Sequence, residues 1–485
     1  MLFTDPAFLL RFLPTVLAAF FLAVAATPHR WKQDGRRFTL PNAVLLVGSV
    51  VFLAAGTGVF MRWIAGAVAF NYLVALAIGR ARLAAASSQR PGPLPEALLT
   101  LGVTGNVVLL GVAKYALPLP DLFASRVFAV PQLLAPLGLT FFVCHALSYL
   151  VDVARGDAPA QINPIPASLY LLCFPLLCAG PLARYSDVSP QLIQRRATLA
   201  AFAFGVRRWL VGYCKVVFLA AALAGPVDSV FATSAAELTM ARAWLGAVCF
   251  ALQIYFDLSG YADMAIGFGR MFGFRFVENF GAPYLAGSLT DFWQRWNVTL
   301  LNWCRRYLYL PLTSTGASVW VRARQVALLF LCVGLWHGPG WTVLVWGGVH
   351  AAVVVLEQVW LAERLVRLPA VIRHAYVLLV VVLSWVVFRA DSMAGAAVVL
   401  VAMSGLGSPV EVLGVAPIAL TPWFWTMLSM GVLSISPLWQ GGGRWLVTVD
   451  ALTTSVLILI STSFVYLWRR LVNTARFLTG RQRTH

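Results

Sequence analysis

Apolar residues in this chain run in long blocks rather than alternating, and short basic or Pro/Gly-containing breaks separate the blocks. Crossing a bilayer takes roughly 20 mostly apolar residues in a helix. Blocks of that length or somewhat shorter lie at 8–27, 43–60, 97–117, 133–151, 167–180, 209–224, 240–255, 326–336, 343–356, 375–388, 423–435 and 452–468. The chain has room for about ten or more spans. The shorter blocks, rich in glycine and proline, are expected to enter and leave the bilayer on one side. Lipid offers backbone groups no hydrogen-bond partner, so helices are the expected secondary structure. The pattern predicts an all-α polytopic membrane protein, a single integral membrane domain over 1–485 with short re-entrant or interfacial helices and no visible repeat.

Composition agrees with that reading. Hydrophobic residues make up 60% of 485 and charged residues 11%, against about 25% charged in soluble domains. The net charge of +18 would suit nucleic acid, but its distribution excludes that partner. The basic residues cluster in short breaks: Arg30, Lys32, Arg36 and Arg37; Arg80, Arg82 and Arg90; Arg184, Arg195, Arg196, Arg207 and Arg208; Arg305, Arg306, Arg322 and Arg324; and the tail from Arg469 to Arg483. Short basic loops face the cytoplasm. Segment 225–239 carries Asp228 and Glu237 and no basic residue, so it is expected outside. This places the N-terminus outside and the C-terminus inside, with an odd number of crossings. The first block, whose basic flank follows it, is expected to be a retained helix rather than a cleaved leader. Seven cysteines, mostly inside apolar blocks, show no metal-ligand spacing and are expected to be packing residues; no metal is expected.

Candidate chemistry lies in two stretches. Across 253–312 polar and aromatic residues mix too densely for a lipid-facing span. Asp257 and Asp263, among apolar neighbours, are expected to pair with Arg270 or Arg275 or to cap a helix, with a cavity-facing role as the alternative. In "SLTDFWQRWNVTLLNWCRRYLYLPL", Ser288, Thr290 or Asp291 is expected to cap a short helix. On that helix Trp293, Trp296 and Asn297 would share a face. An interfacial amphipathic helix with an aromatic belt explains the same composition. The second stretch is "LWHGPGW", where Gly338–Pro339–Gly340 interrupts the apolar blocks directly after His337. A helix broken at membrane depth is tolerated where it surrounds a cavity. A histidine there is a candidate general base, because its ordinary pKa lies near neutrality; a packing histidine bonded to a carbonyl is the alternative. His350 and His145, inside continuous apolar runs, are expected to be structural.

Six segments in order resemble the membrane-bound O-acyltransferase family: "FFVCHALSYLVDVARGD", "FPLLCAGPLARYSDVSPQL", "YFDLSGYADMAIGFGRMFGF", "DFWQRWNVTLLNWCRRYLYLPL", "LWHGPGWTVLVWGGVHA" and "LSWVVFRADS". They span about 141–392, and the branch they look most similar to is the membrane subunit of bacterial alginate and other polysaccharide O-acetyltransferases. The resemblance makes His337, within the family's "WHG" motif, the counterpart of its active-site histidine. It makes Asn297 the second catalytic position, where alginate-type members carry histidine and other branches asparagine or aspartate. Asp291, Trp293, Arg295, Trp296, Trp336, Arg305 and Arg306 are the expected substrate-binding residues.

The resemblance implies helices around a central tunnel in a bacterial inner membrane. It also implies transfer of an acetyl group from cytoplasmic acetyl-CoA, a donor rather than a bound cofactor, towards an extracytoplasmic glycan such as exopolysaccharide. The expected partner is a periplasmic esterase-like transferase or a glycan synthesis complex, since the chain has no Gly-x-Ser-x-Gly nucleophile elbow. Peptidoglycan O-acetylation and D-alanyl transfer to teichoic acid are alternative acceptor chemistries. A transporter or flippase is the alternative of another class, to which broken helices and intramembrane carboxylates also belong.

Overall fold

The computed structural model describes residues 2–27, 38–88, 93–115, 138–178, 180–313, 316–338, 340–406 and 421–435. The basic cluster at 30–37, Arg90, Pro339, the expected span at 452–468 and the basic tail lie outside the described residues. Contacts divide the chain into units Met1–Leu428 and Ser429–His485, and every candidate site residue belongs to the first.

The described residues form helices and no strand. In chain order these are α1 (Phe8–Ala26), α2 (Thr39–Thr57), α3 (Met61–Ser88), α4 (Leu94–Tyr115), α5 (Leu139–Arg155), α6 (Pro164–Leu172) and α7 (Phe174–Leu177). They continue with α8 (Tyr185–Ile193), α9 (Leu199–Ala232), α10 (Met240–Met271), α11 (Leu289–Arg295) and α12 (Val298–Cys304). The last are α13 (Val319–His337), α14 (Trp341–Arg367), α15 (Ala370–Arg389), α16 (Met393–Met403) and α17 (Pro422–Ile435). Among them nine helices are long and apolar enough to cross a membrane. The expected multi-pass α-helical fold is therefore the observed one.

The periodicity reading missed one span. α3 crosses where no block was expected, because Arg62, Asn71, Arg80 and Arg82 interrupt its apolar run. The structure explains the buried Asn71: its amide pairs reciprocally with that of Asn106 on α4, at 3.1 and 2.7 Å. Each orphan amide thereby satisfies the other, which hydrocarbon requires. The block at 167–180, by contrast, is two short helices, α6 and α7, interrupted at Cys173.

The intramembrane aspartates are placed differently from expectation. Both lie inside the 32-residue helix α10, so neither caps it. Asp263 is buried and pairs with Arg208 at 2.6 Å and Lys215 at 2.7 Å on α9, not with Arg270 or Arg275. The two cations come from the helix packed alongside, a partnership set by tertiary packing rather than by sequence neighbourhood.

A second polar cluster fixes the segment after α12. Asp152 on α5 is fully buried and accepts hydrogen bonds from the Ser186 N–H (2.8 Å) and the Tyr307 hydroxyl (2.7 Å). Burial and the Asp152 carboxylate both push the Tyr307 phenol up, so it stays protonated and donates. Arg306 pairs with Asp157 at 2.6 Å just beyond the end of α5.

Candidate active site

Helices α13 and α14 form an antiparallel hairpin whose tip is the Gly-Pro-Gly break. The hairpin is closed tightly because side chains are absent where it crosses. A Cβ at Gly334 would lie 2.8 Å from the Val343 carbonyl, and one at Gly347 2.6 Å from the Phe330 carbonyl. The break therefore joins two full-length helices instead of dividing one helix in mid-membrane, which corrects the sequence expectation. α15 runs antiparallel to α14, so its C-terminal end, Phe388 and Arg389, comes to the same end of the bundle as His337. Arg389 pairs with Asp228 at 2.8 Å, which brings the acidic segment 225–239 to this end as well. Arg322 and Arg324 lie at the opposite end of α13, about 20 Å away along its axis.

His337 is the last residue of α13. The residue as a whole is exposed, while three aromatic rings crowd its imidazole: Trp336, Trp346 and Phe388, with centroids at 4.8, 5.5 and 5.1 Å. Among the described residues its ring nitrogens make no hydrogen bond, so the carbonyl-bonded packing alternative does not hold there. Lys114, from the end of α4, donates to the carbonyl of Trp336 and lies 5.7 Å from the centre of the Trp336 ring. A cation at the last carbonyls of a helix opposes the negative end of its dipole.

Asn297 is held in a backbone conformation different from the expected one. Ser288 caps α11 by accepting from the Asp291 N–H at 3.0 Å, so of the three cap candidates it is Ser288. The helix stops at Arg295, Trp296 is extended, and Asn297 sits in the left-handed region at φ 44°, ψ 53°. Trp293, Trp296 and Asn297 therefore do not share one helical face. Asparagine is among the few residues that tolerate this conformation, which explains its type on backbone grounds alone. Its amide makes no cap bond to α12. The turn is held from outside: the Gly281 N–H donates to the Arg295 carbonyl at 2.9 Å and the Val298 N–H to the Asn279 carbonyl at 2.9 Å. The buried Asn279 side chain accepts from the Thr299 hydroxyl at 2.7 Å.

One aromatic cluster links Trp296, the residue before Asn297, to the rings around His337. Trp296 packs on Trp385 at 5.1 Å, and Trp385 lies 5.5 Å from Phe388 and 5.8 Å from Trp346, both neighbours of His337. Trp346, Trp385 and Phe388 were not singled out in sequence, although each lies in a quoted motif. Lys114 was missed too, and its signal was a lone charge at the end of an apolar block.

The remaining expected residues do not all converge. Trp293 is buried and donates to His350 Nδ1 at 3.2 Å. His350 Nε2 donates to Ser384 Oγ at 2.9 Å, and that hydroxyl donates to the Val381 carbonyl at 2.8 Å. The chain fixes the His350 tautomer and uses both nitrogens, so His350 is structural, as expected. His145, fully buried beside Tyr170 at 5.3 Å, also has a packing position. Asp291 and Arg295 bind each other at 2.7 Å. Asp291 lines a cavity of about 410 Å³ with Thr290, Glu357 and Arg373, and that cavity contains neither His337 nor Asn297. Trp336 lies beside His337, whereas Arg306 is engaged with Asp157 and Arg305 is exposed. Among the described residues no group of His, Cys, Asp and Glu could hold a metal ion.

The family model of membrane-bound O-acyltransferases matches residues 132–399, which include the whole hairpin, α11, α12 and α15. The chain belongs to the membrane-bound O-acyltransferase family. It is 37% identical over 400 residues to the probable alginate O-acetylase AlgI of Azotobacter vinelandii, covering 81% of this chain and 76% of the relative. The peptidoglycan O-acetyltransferase of Helicobacter pylori is 30% identical over 443 residues, 84% of this chain and 80% of the relative. A teichoic acid D-alanyltransferase of Bacillus subtilis shares 24% over 238 residues, 46% and 59% of the two chains. The protein is thus an O-acyltransferase.

Proposed function

We propose that this O-acyltransferase moves an acetyl group from a cytoplasmic thioester, acetyl-CoA, towards a glycan on the far side of a bacterial inner membrane, exopolysaccharide being the first acceptor. The observation that carries this reading is the imidazole of His337, ringed by aromatic side chains and unbonded among the described residues, at the end of the bundle that also holds Asp228. In the proposed reaction an acceptor hydroxyl attacks the thioester carbonyl. The C–O bond forms, the C–S bond breaks, and the proton taken by His337 passes to the departing thiolate. General-base help of this kind is typically worth 10²–10⁴-fold in rate. The Asn297 amide orients or polarises the thioester carbonyl.

The basic end of the bundle, with Arg322 and Arg324, is the cytoplasmic end in this reading. The anionic nucleotide stays there while its thioester reaches along a tunnel between the helices to the His337 end. An esterase-like partner or glycan synthesis complex outside receives the acetyl group. The higher identity to the alginate O-acetylase, 37% against 30% and 24%, favours exopolysaccharide over peptidoglycan, and peptidoglycan over teichoic acid.

The test is His337→Ala in the full chain, with membrane abundance and glycan-bound acetate measured on the same cells. The expected result is unchanged abundance with acetate at background. Wild-type acetate at normal abundance would remove His337 from the chemistry.

A further inference from the structure

The turn at Asn297 follows a helix of seven residues, too short to hold its own position in isolation. Something must fix α11 relative to the hairpin that carries His337. The second fastening after Trp293–His350 is a carboxylate at the far end of α11. Glu357 on α14 is buried, with 2% of its surface exposed. One oxygen accepts from the Leu289 N–H at 2.6 Å and from the Tyr376 hydroxyl at 3.1 Å. The other accepts from the Thr290 N–H at 2.8 Å and the Thr290 hydroxyl at 2.6 Å. All four partners are donors, so a carboxylate satisfies them and is satisfied by them. The first-turn N–H groups of α11, which have no partner within the helix, are thus bonded to the same helix, α14, that packs against His337.

We propose that Glu357 is a positioning residue for acyl transfer: it seats the first turn of α11 on α14 and so sets where Asn297 stands relative to His337. The proposal rests on the reading that Asn297 and His337 act on one substrate. Four charge-assisted bonds from one buried carboxylate make a stiff joint. Its distance from the chemistry, the length of α11, matches an effect on geometry rather than on bond making. A misplacement of about 1 Å arising far from the reacting atoms can cost about 100-fold in rate.

The test is Glu357→Gln, which keeps the volume but sets an amide N–H₂ against existing donors. Amide hydrogen exchange of peptides covering 285–300, compared with peptides covering 319–337, is measured on the purified full chain. The kcat and KM for the acetyl thioester are measured on the same preparation. The expected result is at least tenfold faster exchange in 285–300 with α13 unchanged, kcat down about 100-fold and the thioester KM within twofold. Glu357→Asp is expected to recover part of both effects. Unchanged exchange in 285–300 overturns the proposal whatever happens to activity, and so does faster exchange with wild-type kcat. If Glu357→Gln does not accumulate, Thr290→Val, which removes a single donor, is judged by the same two criteria. Transfer that survives His337→Ala would instead sink the active-site reading and leave the exchange result standing.

Discussion

Asn297 offers a perturbation in which backbone and side chain are separable. An L-residue in the left-handed region costs about 1–2 kcal/mol, and glycine costs nothing there. Asn297 is at φ 44°, so Asn297→Gly relieves strain, while Asn297→Ala keeps the strain and loses asparagine's tolerance of it. If the side chain only allows the turn, Asn297→Gly is fully active. If the amide polarises the thioester carbonyl, removing one such donor costs about 10²–10³-fold, or about 2.7–4 kcal/mol in the barrier. The expected order of stability, from thermal unfolding in detergent, is Gly at or above wild type and Ala about 1 kcal/mol below. The expected transfer rates put both at least 100-fold below wild type. Asn297→His is expected to fold, since histidine also populates this region, and to retain transfer. The assay is initial-rate acetyl transfer in membranes matched for protein amount. Wild-type turnover by Asn297→Gly would refute the chemical role and reduce the position to a turn.

Other substitutions test the surroundings. Lys114→Met strips the Trp336 carbonyl of its donor and should lower stability by about 1–3 kcal/mol in thermal unfolding, whereas Lys114→Gln, which can still donate, should lose less. His350→Leu breaks the Trp293–His350–Ser384 chain and leaves buried groups unpaired, each costing about 1–3 kcal/mol. It should cut membrane abundance, and normal abundance would contradict the structural role. Asp263→Asn removes the carboxylate between Arg208 and Lys215, leaving Lys215 without its partner and Arg208 with Glu278 alone. Breaking a buried pair typically costs about 3–5 kcal/mol, so detergent-solubilised protein should aggregate at lower temperature; an unchanged transition would show that Asp263 is not needed to balance these cations.

What the sequence determined by itself was the solvent and the secondary structure. Long apolar blocks with basic breaks leave helices in a bilayer as the only arrangement that satisfies the backbone, and that argument needs no partner residue. It failed where charges interrupt a run, as in α3, and where an apolar block breaks into short helices, as at Cys173. The tertiary structure decided which groups meet. Asp263 takes its cations from α9, and Asn71 its partner from α4, because helices packed side by side supply neighbours that are remote in sequence. Asn297 leaves the helical face that spacing assigned to it because α11 ends at Arg295 and the turn is held by Asn279 and Gly281. Glu357, unremarkable in an apolar run, becomes the seat of α11 only when α14 folds against it. Periodicity reports what a residue's own helix needs, whereas a cluster drawn from several helices depends on contacts that no single helix encodes.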